Sequence, residues 1–311
     1  MGGLGKYALR RLLLAVPVLV LLLLFVFVLV HIAPGDPVAL MFENDPRATQ
    51  ADIARMRAAF GLDQPLHVQF GRFLGRMVTG DLGNSLHTRE PVLRMITDRL
   101  PFTVSLGVTA LLFAIGFSVA LGVLAAVHHN TWIDDVCMVL ALLGVSIPNF
   151  WLGLMSILVF SVFLGWLPAG GAGTPAHLIM PALALGTTWA ALSARLVRSS
   201  MLEVLNQDYV RTSRAKGLAE RVVTYKHALR NAVIPVVTYI GIQIPGIVGG
   251  SVVTETVFSR PGIGRLLVES ISRRDLVVIE GVVLMVGVVV VASNLLVDIS
   301  YGLLDPRIRY D

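Results

Sequence analysis

Seven histidines, one cysteine and scattered acids are the side chains here that could carry catalysis or hold a metal. Their spacing does not assemble them. His128 and His129 are adjacent and so point to different faces of a helix, and no His-Glu-x-x-His pair occurs to hold zinc. His31, His67, His87 and His177 stand singly near the ends of apolar runs or in a polar stretch. Cys137, being alone, excludes an internal disulfide and any cluster of cysteine ligands. There is no Gly-x-Ser-x-Gly nucleophile turn and no Gly-x-x-x-x-Gly-Lys-Ser/Thr loop to cradle phosphates. Glu280 and Asp298 are 18 residues apart, which is roughly 27 Å along a helix and too far for a proton relay. The sequence therefore assigns no catalytic residue and no metal ligand to this chain.

A different chemistry is written into residues 208–231, a polar, strongly basic stretch between two apolar runs. It reads as helix, break, helix. The residues before Gly217 form helices well, Arg214 and Lys216 sit where cations favour a helix C-terminus, and Gly217 can take the left-handed conformation that ends a helix. About eight residues beyond it can make a second short helix, whose apolar members Leu218, Val222 and Tyr225 recur at roughly helical spacing. A short helix with one apolar face and basic flanks fits a groove on another protein. It equally fits the headgroup layer of a membrane.

The elements that must position this stretch are apolar throughout. The chain of 311 residues is 55% hydrophobic and only 14% charged, with a mean hydropathy of +0.77, against roughly 25% charged in a soluble domain. The net charge of +5 then points to headgroups and cytoplasmic loops, not to nucleic acid. Six uncharged or nearly uncharged runs are long enough to cross a bilayer core: 12–30, 102–127, 136–167, 178–194, 232–254 and 276–304. They leave no solvent-facing stripe and do not alternate polar with apolar, which excludes a soluble helical core and a β-barrel. The first run follows Lys6, Arg10 and Arg11 and has no small-x-small site after it, so it reads as a retained span and not a cleaved signal. Pro148 lies near the middle of the third run, and Pro168, Gly170, Gly171 and Gly173 close it as a turn.

The expected fold is an all-α membrane protein of six transmembrane helices. Residues 1–32 form the N-terminal span, 33–101 a long, partly helical outer loop, 102–304 a core of five spans, and 305–311 a cytoplasmic tail. Both termini are placed inside, because 195–231 carries eight basic residues against Glu203, Asp208 and Glu220. In the outer loop, 49–60 reads as a short amphipathic helix with Ile53, Met56 and Phe60 on one side. Phe70, Phe73, Leu74 and Met77 make a second such stripe. These stripes suit a cap on the span ends or a docking surface. In the fifth run, Pro235, Pro245, Gly246, Gly249 and Gly250 suit either a broken helix facing a path or close helix packing. Gln243 is its one clearly polar mid-span group, and Gln243, Pro245, Gly246 and Gly249 are the candidate path residues. An ion-coupled secondary transporter is the alternative class. It is disfavoured by the near absence of ionisable groups inside the spans and of a matched inverted repeat.

The stretch Ala215-Lys216-Gly217-Leu218, followed ten residues after the glycine by His227-Ala228-Leu229-Arg230-Asn231-Ala232, resembles the coupling segment of ABC-importer permeases. It is most similar to the dipeptide, oligopeptide and nickel branch. Pro34-Gly35-Asp36-Pro37, Gly61-Leu62-Asp63-Gln64-Pro65, Gly80-Asp81-Leu82-Gly83, the run from Glu255 to Leu267, and the tail from Leu304 to Tyr310 resemble the same branch in the same order. Arg211-Thr212-Ser213 replaces the general pattern's Glu-Ala-Ala, so no role of that glutamate is carried over, and His227-Ala228-Leu229-Arg230 replaces Ile-x-Leu-Pro. The resemblance implies a bacterial inner-membrane permease subunit that imports di- or oligopeptides. It implies a second, different permease, two ATP-binding subunits that hold ATP and Mg, and an extracytoplasmic substrate-binding protein as partners. It implies no cofactor in this chain. The contact with an ATPase would be made by Ala215, Lys216, Gly217, Leu218, Ala219, Glu220, Arg221, Val222, Tyr225 and Lys226.

Overall fold

The structure, a computed structural model, describes residues 3–32, 38, 49–59 and 61–304. The described residues are helical, with no strand beyond one isolated bridge between Asn84 and Pro91. They fall into two compact units, Met1–Pro101 with Gly262–Asp311, and Phe102–Pro261. The last run, contiguous in sequence with the core, thus packs with the first hundred residues. The Pro34–Pro37 motif, Phe60, the side chain of Met56 and the tail from 305 lie outside the described residues.

In the first unit, helix α1 (Gly3–Ile32) packs on the long C-terminal helix α14 (Leu276–Leu304). A glycine eases this approach: a Cβ on Gly287 would stand 2.0 Å from Leu22 Cδ2, so a larger residue here makes the Leu22 side chain move. Helix α2 (Gln50–Ala59) starts with a reciprocal cap, the Asp52 N–H donating to Thr49 Oγ1 at 3.3 Å and the Thr49 N–H to Asp52 Oδ2 at 3.1 Å. Helix α3 (Leu66–Val78) bears the expected aromatic stripe, and Phe73 is buried against Leu23 and Phe27 of α1, with Phe70, Leu74 and Met77 beside it. The stripe is therefore a cap on the first span. A second core joins Leu82, Val92 and Ile96 to Ile263 and Leu266 of α13 (Ile263–Ser272) and to Val278 and Val282 of α14. Asp275, in the turn before α14, accepts from Ser85 Oγ at 2.5 Å and from the Leu86 N–H at 3.2 Å. The outer loop is thus pinned to that turn.

The second unit holds the remainder of α4 (Val92–Val127), then α5 (Trp132–Ser146) and α6 (Asn149–Ser156), which continues as a π-helical stretch over Ile157–Phe163. The third apolar run is not straight: its halves meet at 102°. Pro148 lacks the N–H that would continue the ladder and forces extended backbone on Ile147 (φ −85°, ψ 124°). Helix α7 (Ala176–Leu205) follows the glycine turn, where the Gly171 N–H donates to Phe258 O at 2.8 Å. The fifth run, 232–254, for which a broken helix is one of two readings, is two helices, α11 (Ile234–Gln243) and α12 (Gly246–Val257), broken at Ile244-Pro245. Four described helices are long and apolar enough to cross a membrane, five if the bent pair is one crossing.

Candidate functional site

The basic stretch between the fourth and fifth runs folds as two short helical pieces around a left-handed residue. Helix α8 (Asp208–Ala215) ends at Lys216, and Gly217 takes φ +78°. The Leu218 N–H donates to Ser213 O at 3.4 Å and the Gly217 N–H to Arg214 O at 2.9 Å. This double closure satisfies the last carbonyls of a helix that stops on glycine. A Cβ at Gly217 would meet nothing within 4 Å, so the requirement for glycine is conformational and not steric. Ala219 (φ −57°, ψ 139°) then starts helix α9 (Glu220–Val222), which widens into a π-helical turn over Val223–Ala228 and returns to α-helix in α10 (Leu229–Ala232).

One ion pair spans the break. Arg214 grips Glu220 with Nη2 at 2.6 Å from Oε1 and Nε at 3.1 Å from Oε2. The Arg214 guanidinium holds the Glu220 carboxyl below its usual range, and Glu220 raises Arg214 in return. Asn231 Nδ2 donates to Tyr209 Oη at 2.7 Å, tying the far end of the segment back to α8.

The inner face of the segment is anchored. Val210, Val223, Thr224 and Ala228 are buried, and Ala228 and Ala232 join a core with Val123 and Ala126 of α4, Val197 and Met201 of α7, and Val236 and Ile240 of α11. The outer face is bare: Leu218, Val222 and Tyr225 are 40%, 38% and 61% exposed. The π-helical widening explains the division. With more than four residues per turn, Val223, Thr224 and Ala228 all reach the core while Tyr225 and Lys226 stay outside. Arg221, Lys226 and Arg230 are exposed and carry no ion pair with any described residue. Ten sequence-selected residues, Ala215 to Val222 with Tyr225 and Lys226, thus form one protrusion. It offers an apolar strip in a basic frame.

The second group lies at the break in the fifth run. Gln243 is the last residue of α11, Pro245 is buried and precedes α12, and Gly246 and Gly249 are exposed. A Cβ at Gly241, Gly246 or Gly249 would meet nothing within 4 Å. The backbone at these three positions is therefore not crowded by any described residue of this chain. At the end of α12, buried Glu255 accepts from Thr103 Oγ1 at 2.6 Å. Buried Arg260 donates from Nε to Phe102 O at 3.2 Å and from Nη2 to Ser105 Oγ at 2.9 Å. The run from Glu255 was visible in the sequence as a motif, but its partners at the start of the second run were not. Nor was the pairing of Asp134 with Arg198, although each stands where an apolar run meets polar chain.

Residues 118–310 match the family described as binding-protein-dependent transport system inner membrane component, and residues 4–107 match its N-terminal family. The chain is 46% identical over 304 residues to a glutathione transport system permease protein of Salmonella typhi, covering 98% of this chain and 99% of that protein. It is 45% identical over 304 residues to the Escherichia coli K12 protein of the same description, with the same coverage. It is 42% identical over 332 residues to a dipeptide transport system permease protein of Alkalihalophilus pseudofirmus, covering 98% and 99%.

Proposed function

The chain belongs to the family of binding-protein-dependent transport system inner membrane components, and on that premise we propose how this permease subunit is driven and what it carries. It is the permease of an ABC importer. The drive enters through the protrusion at 215–226, whose strip of Leu218, Val222 and Tyr225 seats in an apolar groove on an ATP-binding subunit. ATP and Mg are held there, in a separate chain. The basic frame of Arg221, Lys226 and Arg230 favours an acidic rim on that groove. The observation that carries this reading is the division within one short segment: three apolar side chains left bare while their neighbours Val223, Thr224 and Ala228 are buried in the core. A rigid base under an exposed apolar strip transmits a push, which a loose loop cannot.

Six crossings are proposed: four long helices, the bent pair as one, and α11 with α12 as one. This puts both termini and the protrusion in the cytoplasm, consistent with the basic excess of 195–231. Two permeases, different in sequence, enclose the path, and an extracytoplasmic binding protein delivers the cargo. Gln243, Pro245, Gly246 and Gly249 line the path at the broken helix, where backbone facing a cavity is tolerated. Relatives named for glutathione and dipeptides point to short peptides as cargo, read through their amide groups. The test is uptake of labelled peptide into vesicles holding the assembled transporter. Uptake requires ATP and the binding protein and falls at least tenfold in Tyr225→Asp. Uptake driven by a proton gradient with no ATP-binding subunit overturns the reading.

A further inference from the structure

We propose that a depression between α5 and α7 is a binding site for the phosphate headgroup of an anionic glycerophospholipid. The inference requires only that the chain be embedded in a bilayer, and not the coupling role of the protrusion. The depression is shallow and open to the surface, about 520 Å³ in volume, and is lined by Met138 of α5 and by Leu192, Arg195, Leu196, Arg198 and Ser199 of α7. Both charged lining residues are cations, and the rest are one hydroxyl and three apolar side chains. That mixture matches a molecule with an anionic head and a hydrocarbon body.

The two arginines have different roles. Arg198 is fixed in place: its Nε and Nη2 each lie 2.6 Å from an oxygen of Asp134, which is itself buried. Asp134 is also engaged by its own neighbours, His129 Nδ1 lying 3.0 Å from Oδ2 and the Asn130 N–H donating to the same oxygen at 3.2 Å. Asp134 therefore cancels the charge of Arg198 without reaching further, and Nη1 of Arg198 has no partner among the described residues. Arg195 is exposed and makes no hydrogen bond or ion pair with any described residue. It is the uncompensated charge of the depression. Asp135 acts on Arg198 electrostatically but does not line the depression. A fork of free N–H donors beside a hydroxyl is phosphate-binding chemistry.

The depth is right for a headgroup. Helix α5 opens with Trp132, 72% exposed, and Val136, Val139, Leu140, Leu142 and Leu143 are exposed beyond it. A bare tryptophan at the end of an apolar helix belongs at the bilayer interface. Met138 lies six residues in, roughly 9 Å along the helix, where the glycerol and upper acyl chain follow the phosphate. Basic pockets between spans are known lipid sites in general. A free phosphate ion has no use for Leu192, Leu196 and Met138.

The test uses the assembled transporter, exchanged into nanodiscs of phosphatidylcholine with about 30% phosphatidylglycerol, stripped with detergent and weighed by native mass spectrometry. Retained phosphatidylglycerol is expected in preference to phosphatidylcholine. Retention should fall about tenfold in Arg195→Gln, the loss of one charge-assisted hydrogen bond, and survive largely in Arg195→Lys. Arg94→Gln, an exposed cation on the other unit, should leave it unchanged. Equal retention in wild type and Arg195→Gln overturns the proposal, as does equal retention of the two lipids. Loss of a protein subunit from Arg195→Gln with lipid retention unchanged also overturns it and makes the depression a protein contact.

Discussion

Replacing Gly217 separates backbone conformation from side-chain contact at the protrusion. Its φ is +78° and a Cβ there would touch nothing within 4 Å. A side chain therefore costs only what the left-handed conformation costs, about 1–2 kcal/mol for an ordinary residue, less for Asn and more for a β-branched residue. That corresponds to a shift of roughly 5- to 30-fold between the native turn and a continued helix. In the continued helix, residues 218–226 rotate about the axis, the bidentate Arg214–Glu220 pair is lost, and Leu218, Val222 and Tyr225 leave their outward positions. Peptide-stimulated ATP hydrolysis by the reconstituted transporter should fall in the order Gly, Asn, Ala, Val. Gly217→Val should lose at least about tenfold, with the amount of inserted chain unchanged. Wild-type coupling in Gly217→Val, or an equal loss in Gly217→Asn and Gly217→Val, refutes the reasoning.

Two further perturbations test packing and charge. Gly287→Leu drives a side chain into Leu22, whose Cδ2 lies 2.0 Å from the Cβ position. It should destabilise the chain by about 1–3 kcal/mol, read as a lower melting temperature in detergent that Leu22→Ala partly restores. The Glu220 carboxyl is depressed by Arg214, so the pair's contribution is complete above the ordinary carboxylate pKa and is lost as pH falls through the lower folded value. Both partners are exposed to solvent, which limits the effect to under about 1 kcal/mol. Hydrogen exchange of amides 217–222, corrected for intrinsic rates, should show Glu220→Gln more open than wild type from pH 5 to 8 and the two alike near pH 2.

The sequence was legible where one residue type has one physical consequence. Gly217 marked the helix stop. Leu218, Val222 and Tyr225 marked the bare strip, because apolar residues in a basic stretch have no core to join unless the fold brings one. Phe70 and Phe73 marked the face that caps α1. The apolar runs marked the long helices, but not their interruptions. Pro148 signalled a kink, yet the 102° bend depends on what the second half packs against. Pro245 and its neighbouring glycines left a broken helix and close helix packing both open, and the structure shows the break at Ile244-Pro245. The π-helical stretches at Ile157–Phe163 and Val223–Ala228 left no local trace, since they arise from tertiary demand on which side chains must be buried. The pairs Asp134–Arg198 and Thr103–Glu255 join residues 64 and 152 positions apart, and no periodicity encodes such a partner.

Cys137 is the chain's only cysteine and is buried, so Cys137→Ser gives a clean background for one reporter thiol. Tyr225→Cys in that background, carrying a short photoactivatable cross-linker, is the most direct probe of the assembled transporter. The product should contain an ATP-binding subunit, and its yield should change between the nucleotide-free and ATP-bound states. Attachment to lipid alone, or to the partner permease alone in both states, would mean that the strip lies on the membrane or between permeases and is not where force enters.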